Sequence, residues 1–362
     1  MSVGEKILNL RKKFGFSQEE LANKVMVSRQ TISLWETDQT LPTIDNFLRL
    51  KEIFNVPVDK ILNNEEIALN KTNANSLDTI CASLCYALGI EPPKFANSKN
   101  FELCNYIDKV FDNEKADRVV MYNPDAIAEW IYNKYPELLA RAKDNSDIEI
   151  PLSTVMPSVT PVCFATMYTG AQPQVHGIQK YEKPIITIDT IFDALIRAGK
   201  KPALVTYGKC SLGKIFLERK MDYYHYDSGP SGIESVNAKA IELILKDQHD
   251  FIVIYNGNYD SAMHKNGPEG IKSLAELRSN AHFFGILSSC IKEHWSHHNT
   301  LIGFAMDHGC HEIDGNCGSH GLDMPEDINI VHLYKGYKKT TEQENNKGEI
   351  NDDVRKEFDF AS

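Results

Sequence analysis

Apolar positions follow two rhythms along the chain. Residues 3–14 place Ile7, Leu8 and Leu10 among charges, which predicts an amphipathic helix stopped by Gly15. Ser17 followed by Gln18, Glu19 and Glu20 is a capping-box signature opening a second helix, SQEELANKV. Met26-Val27 makes a short turn, Ser28 caps a third helix, RQTISLWE, and Leu41-Pro42-Thr43 breaks and recaps before IDNFLRLKEIF. A last short helix is expected near Val58 to Leu62. Leu21, Ala22, Val25, Ile32, Trp35, Leu48 and Ile53 are the expected core of this segment. From Leu77 the rhythm changes. Helices are expected over Leu77 to Leu88 and Phe101 to Phe111. Then short apolar runs alternate with amphipathic ones. RVVMYN, PALVTY, DFIVIYN and TLIGFAMD read as strands. AIAEWIYNKYPELLARA, TIFDALIRAG, SVNAKAIELILKD and LAELRSNAHFFGILSSCIKEHW read as helices. This alternation predicts an α/β sandwich with a mostly parallel central sheet, preceded by a small all-α domain.

The domain reading is residues 1–64 helical, 65–75 a polar linker, 76–338 the α/β domain and 339–362 a polar, aperiodic tail expected to be disordered. Five short helices with a tight turn between the second and third describe a helix-turn-helix. The run from Ser17 to Leu62 resembles the Cro/C1-type (XRE) helix-turn-helix family without a gap. The resemblance implies that the helix from Ser28 enters the major groove, with Ser28, Arg29, Gln30 and Ser33 as DNA-facing residues. Arg and Gln are bidentate readers of G and A. It also implies that Gln18 touches a phosphate.

Net charge is −11 for 362 residues, which excludes a generally basic nucleic-acid coat. Residues 1–64 hold nine Lys/Arg and eight Asp/Glu, or +1, so the rest carries −12. A weakly charged reader gains affinity by dimerising on a two-fold operator, so a homodimer is expected. The N-terminus shows no apolar signal region, and the DNA-binding module points to the cytoplasm. Ile150 to Gln179 lacks charge, but four prolines rule it out as a membrane helix. The eight cysteines form no CxxC pair and read as reduced thiols. Cys310 and Cys317, which flank a His-rich loop, have pairing or metal binding as the alternative.

All twelve histidines lie between His176 and His332, so metal or acid–base chemistry is expected in the second half. Ligands in parallel sheets bind beyond the strand C-termini. There the chain presents Asp125, then Asp260 and His264, then Asp307 and His308, and later His320. A strand-end Asp alone is often a helix cap; four segments converging are the signal. Mixed Asp and His donors without thiolate suit Zn²⁺ or Mn²⁺ at a catalytic site. The charge-free segment supplies Thr160 between Val159 and Pro161, a hydroxyl that metal coordination would activate.

PSVTPVCFATMYTG (157–170), the following HGI, DSAMHKNGP (260–268), Asp307-His308-Gly309 and His320-Gly321 occur in the order of the alkaline phosphatase superfamily. They most resemble its nucleotide pyrophosphatase/phosphodiesterase branch, over about residues 117–335. The resemblance implies two divalent metals about 4 Å apart. Zn²⁺ is the first choice and Mn²⁺ the alternative. One would be held by Asp125, Thr160, Asp307 and His308, the other by Asp260, His264 and His320. Thr160 would attack phosphorus in line. Asn123 is the fallback for Asp125, because the family's first Asp directly follows its strand and precedes Gly. The branch's Asn about twenty residues after the nucleophile is missing. Lys180, Tyr181 and Lys183 stand there, and Lys183 is the candidate for charge stabilisation, a solvated lysine being the alternative. His294, His297 and His298 read as a solvated helix end, with metal binding as the alternative. His311 is a candidate outer contact of the site, and His176 resembles a structural turn. Tyr223, Tyr224 and Tyr226 read as core packing or as a stacking surface. The function expected is a metal-dependent phosphodiesterase or phosphatase acting on a phosphate-ester or nucleotide-like substrate, tied to DNA binding. The alternative is a transcription regulator whose metallo-domain senses a phosphorylated ligand with little turnover.

Overall fold

The computed structural model describes residues 2–14, 16–54, 73–227 and 230–340. The chain divides into two compact units, Met1–Lys71 and Thr72–Ser362. The helix expected near Val58 to Leu62, residues 65–72 of the expected linker and residues 341–362 of the expected tail lie outside the described residues.

In the first unit four helices are described: α1 (Val3–Lys13), α2 (Gln18–Val25), α3 (Arg29–Glu36) and α4 (Ile44–Phe54). Ser2 and Ser17 cap α1 and α2, with Glu5 and Glu20 completing reciprocal capping boxes. Met26 closes α2 in the left-handed region (φ 62°), which makes the tight turn into α3. Ile7, Leu10, Leu21, Ala22, Val25, Ile32, Trp35, Phe47, Leu50 and Phe54 form the core. Leu48, expected inside, is 48% exposed, and Ile53 is half-buried. The phase of α4 is set by Phe47, Leu50 and Phe54, whose i, i+3, i+7 spacing turns Leu48 outward.

The second unit is built on a seven-stranded sheet. Its strands in chain order are β1 (Arg118–Pro124), β2 (Ile148–Ser153), β3 (Pro202–Tyr207), β4 (Asp222–Tyr226), β5 (Phe251–Asn256), β6 (Thr300–Phe304) and, after the hairpin β7 (His311–Ile313) and β8 (Cys317–Ser319), β9 (Asn329–Tyr337). The spatial order is β2-β9-β6-β1-β5-β3-β4. Only β9 runs against the others, since every pair without it is parallel. This is the mixed α/β fold with a mostly parallel sheet that the alternation predicts. β5 is buried at all six positions and β1 at six of seven, as strands covered on both faces must be. Helices Pro230–Lys246 and Ile271–His294 pack together and against the sheet. A second group packs around helix Thr160–Thr169, which is buried throughout.

Three expectations need correction. AIAEWIYNKYPELLARA is two helices, Glu129–Lys134 and Ala140–Lys143, because Pro136 removes a donor and restricts Tyr135. Asn73 and Asn75, read as linker, belong to the larger unit: Asn73 N donates to Asn329 Oδ1 (3.0 Å), and Asn75 O accepts from Ser153 N (2.7 Å). Lys339 and Thr340, read as tail, are also tied down, Lys339 N to Asn299 Oδ1 (2.9 Å) and Thr340 N to Ser296 O (2.8 Å). All eight cysteines are free, Cys310 and Cys317 included. Among the described residues no helix is long and apolar enough to cross a membrane.

Candidate active site

The C-terminal ends of the central strands collect the polar side chains. Asp125 follows β1, and helix Asn258–Asn266, which carries Asp260 and His264 one turn apart, follows β5. Asp307 and His308 follow β6, and His320 follows β8. Thr160 is the first residue of helix Thr160–Thr169, with Val159 at its N-cap. Gly318 lets the hairpin close onto helix Asn258–Asn266, since a Cβ there would lie 2.2 Å from Met263 Sδ.

Two donor groups result: Asp125, Asp307 and His308, and Asp260, His264 and His320. They adjoin, the His308 and His320 rings being 4.1 Å apart. His308 Nε2 lies 3.4 Å from both Asp125 Oδ1 and Asp307 Oδ2, and 3.2 Å from Thr160 Oγ1. Asp260 Oδ1 lies 3.2 Å from His264 Nε2 and 3.4 Å from His320 Nε2. The Nδ1 of each ring faces a backbone carbonyl: His264 to Gly318 O (2.9 Å), His308 to Gly309 O (2.9 Å) and His320 to Ser158 O (3.1 Å). Such a contact places the proton on Nδ1 and leaves the Nε2 lone pair aimed into the cluster, the tautomer a metal ligand needs.

The carboxylates complete the pattern. Asp125 Oδ1, Asp260 Oδ1 and Asp307 Oδ2 are buried and make no hydrogen bond. Their other oxygens are engaged where the fold fixes them: Ala126 N donates to Asp307 Oδ1 (3.1 Å), and Tyr255 O–H donates to Asp125 Oδ2 (2.5 Å). Burial pushes the Asp307 carboxyl up to about 8. Burial, then Asp307 and Asp260, push Asp125 well up. Burial opposes ionisation of Asp260 as well, but the imidazoles of His264 and His320 beside it hold it below the usual carboxylate range. The Asp260 carboxylate in turn raises His264 to about 9, while burial lowers His308 and His320. Three carboxylates converging in a buried pocket repel one another without a cation. Three orphaned oxygens, three Nε2 lone pairs and a threonine hydroxyl form a donor set that fits two divalent cations. The first group is sealed: Asp125 is 1% exposed, Thr160 4% and His308 0%. The second opens to solvent through His264.

The structure thus brings together Thr160 and all six Asp and His candidates. Asn123, the fallback, is spent on packing bonds, accepting from Tyr168 O–H (2.5 Å) and donating to Ala305 O (2.8 Å). Lys183 has a different partner. Its ammonium donates to the Lys209 carbonyl (2.9 Å), and no hydrogen bond or ion pair joins it to Thr160 or either group. A long side chain on a loop takes the nearest acceptor, and spacing from Thr160 does not reveal which. His311 pairs with buried Asp327 (2.7 Å) and braces the hairpin. His176 bonds Thr166 Oγ1 (3.0 Å) within its turn. Tyr223, Tyr224 and Tyr226 lie on edge strand β4 and pack against the core. Tyr255 was missed by sequence reasoning. It pairs in register with Asn123 across β5 and β1, and a fully apolar strand gives no sign of which side chain turns to the ligands.

In the smaller unit Arg29 and Gln30 are exposed on the first turn of α3, and Ser33 is half-buried. Ser28 is the α3 cap, accepting from Thr31 N (3.1 Å). Gln18 Nε2 donates to Glu36 Oε2 (2.9 Å), a carboxylate that also holds Arg11.

Residues 7–61 match the family model described as Helix-turn-helix. The transcriptional regulator ImmR of Bacillus subtilis is 33% identical over 79 residues, 20% of this chain and 62% of the relative. Two enzyme structures resemble the larger unit. Phosphonoacetate hydrolase of Sinorhizobium meliloti is 17% identical, with 54% of this chain and 57% of that one covered at a TM-score of 0.42. Murine ectonucleotide pyrophosphatase/phosphodiesterase 5 is 18% identical, with 55% and 58% covered at 0.43. The chain spans under two thirds of each of these three proteins. This chain therefore carries a helix-turn-helix domain at its N-terminus, followed in the chain by a mixed α/β unit.

Proposed function

We propose that the larger unit is a divalent-metal-dependent hydrolase of phosphoric esters with Thr160 as nucleophile, and that the smaller unit reads a DNA operator. The observation supporting the first part is the convergence of three orphaned carboxylate oxygens and three imidazole Nε2 atoms beside the Thr160 hydroxyl. Asp125, Asp307, His308 and Thr160 would hold one cation, and Asp260, His264 and His320 the other. Bound there, two Zn²⁺ or Mn²⁺ ions would acidify the hydroxyl or water they hold and neutralise charge on the phosphoryl oxygens.

The chain's own residues set the rest. Thr160 Oγ is held at a helix N-terminus, where the helix dipole favours developing negative charge. Thr160 Oγ lies 3.2 Å from His308 Nε2, within reach of the same cation. Burial keeps bulk water from the nucleophile, while the exposed side of His264 leaves a route for leaving group and water. Thr160 Oγ bonds to phosphorus as the ester P–O bond breaks, its electron pair going to the leaving oxygen. Water then cleaves the phospho-threonine to phosphate or a monoester. Lys183, tied to Lys209, has no role in this scheme. On the DNA side, Arg29, Gln30 and Ser33 on α3 would meet base edges, a homodimer would match a two-fold operator, and the protein would act in the cytoplasm. Gln18 would exchange Glu36 for a phosphate on binding.

The test is metal analysis of the purified chain, followed by a screen of p-nitrophenyl phosphate mono- and diesters with Zn²⁺ and Mn²⁺. Turnover that a chelator abolishes and either ion restores is expected. Ligand binding without turnover would favour the sensor reading.

A further inference from the structure

Two histidines of the HWSHHN turn, exposed His297 and part-buried His298, share one carboxylate. His297 Nε2 and His298 Nε2 both lie against one oxygen of Asp247, Oδ2, at 3.1 and 2.8 Å, with their rings 4.1 Å apart. Asp247 directly follows helix Pro230–Lys246, and the two histidines follow helix Ile271–His294. We propose that Asp247, His297 and His298 form a separate divalent-cation site that takes Zn²⁺.

The surroundings hold these donors in place. Trp295 is fully buried, and its Nε1 donates to Ile244 O (2.8 Å), which pins the turn to the end of the neighbouring helix. His298 N closes the turn onto Trp295 O (2.9 Å). Asp247 N caps its helix on Leu243 O and Ile244 O, both 3.1 Å. Arg118 Nε takes the other Asp247 oxygen, Oδ1 (3.1 Å), while its Nη1 binds Asp250 (2.6 Å). Oδ2 is thereby left to the imidazoles, an arrangement in which an outer partner orients a ligating carboxylate. Arg118 against Asp247 and Asp250 sums to −1, so a divalent cation is electrostatically favoured. Tetrahedral Zn²⁺ with bonds of about 2.0–2.1 Å sets donors about 3.3 Å apart. The two Asp247–imidazole distances need to open by only a few tenths of an ångström, and the His297 ring, 60% exposed, has room to swing. Water would complete the shell. The triad sits beside the starts of β1 and β6, whereas the phosphoryl-transfer candidates follow their ends. The seven residues of β1 separate the two by roughly 20 Å. A bound ion would staple two helix ends to the base of the sheet rather than enter the chemistry.

The experiment is equilibrium dialysis of the full chain against Zn²⁺ with elemental analysis, comparing wild type with His297→Ala/His298→Ala. The double variant should bind one Zn²⁺ fewer per chain, keep its hydrolytic rate and show a smaller Zn²⁺-induced rise in Tm. The exposed single variant His297→Ala should weaken that equivalent at least tenfold without disturbing the buried Trp295. Asp260→Ala should lose a different equivalent and keep this one, which separates the count from the catalytic site. Equal Zn²⁺ content and an equal Tm rise in wild type and both histidine variants would overturn the proposal.

Discussion

Asp307 shows how one residue separates structure from function. It is fully buried, one oxygen held by the Ala126 amide and the other without a partner, and its carboxyl is pushed up to about 8. A side chain kept for stability alone would not be left so. Asp307→Asn keeps the amide contact and replaces a carboxyl whose ionisation burial opposes with a neutral amide, so the metal-free variant should melt at least about 2 °C higher than wild type near neutral pH. Its metal-induced Tm shift should be smaller than that of wild type. A lower Tm without metal would mean the carboxylate is structural. Tyr255→Phe tests the neighbouring link. The ring still packs against Phe164 and Tyr207, but Asp125 loses a hydrogen bond. Metal affinity should fall by about 10–100-fold in a chelator competition, with Tm of the metal-free protein nearly unchanged.

Elements decide what the sequence could reveal. The candidate ligands Asp125, Asp260 and Asp307 were legible because each comes soon after an apolar strand, and Asp260 and His264 stand four apart on one helix face. The helix-turn-helix was legible because serine caps announce α2 and α3. β9 and β2 were not. β9 reads NIVHLYKGY, with a His and a Lys, and β2 carries Glu149 and Pro151, so neither shows the unbroken apolar run that marks β3 and β5. The acceptor of Lys183 was not legible, because counting residues along a loop does not fix where a lysine bonds. Within α3, Arg29→Ala should weaken specific operator binding by about 1–3 kcal/mol and leave Tm unchanged. A gel-shift titration of matched and mutated sites checks it, and equal loss on both would reduce Arg29 to a phosphate contact.

Across the whole molecule, the charge of −11 is unevenly spread, +1 over residues 1–64 and −12 over the rest. Stability should follow the larger unit's buried groups. His332 is fully buried between Met306 O and Tyr334 O–H, and burial lowers its pKa to about 4. It stays neutral when folded, while the unfolded residue protonates near 6.5. Its contribution is therefore complete above pH 6.5 and is lost as pH falls from there towards 4, by at most about 3 kcal/mol. Denaturant unfolding of His332→Gln across that range should show a shallower pH slope than wild type. The measurement that reaches the centre of the account is the rate of metal-dependent bis-p-nitrophenyl phosphate hydrolysis by Thr160→Ala, alongside its metal content. The account predicts a loss of at least about a thousandfold with metal still bound. Unchanged turnover by a variant that carries its metals would contradict it.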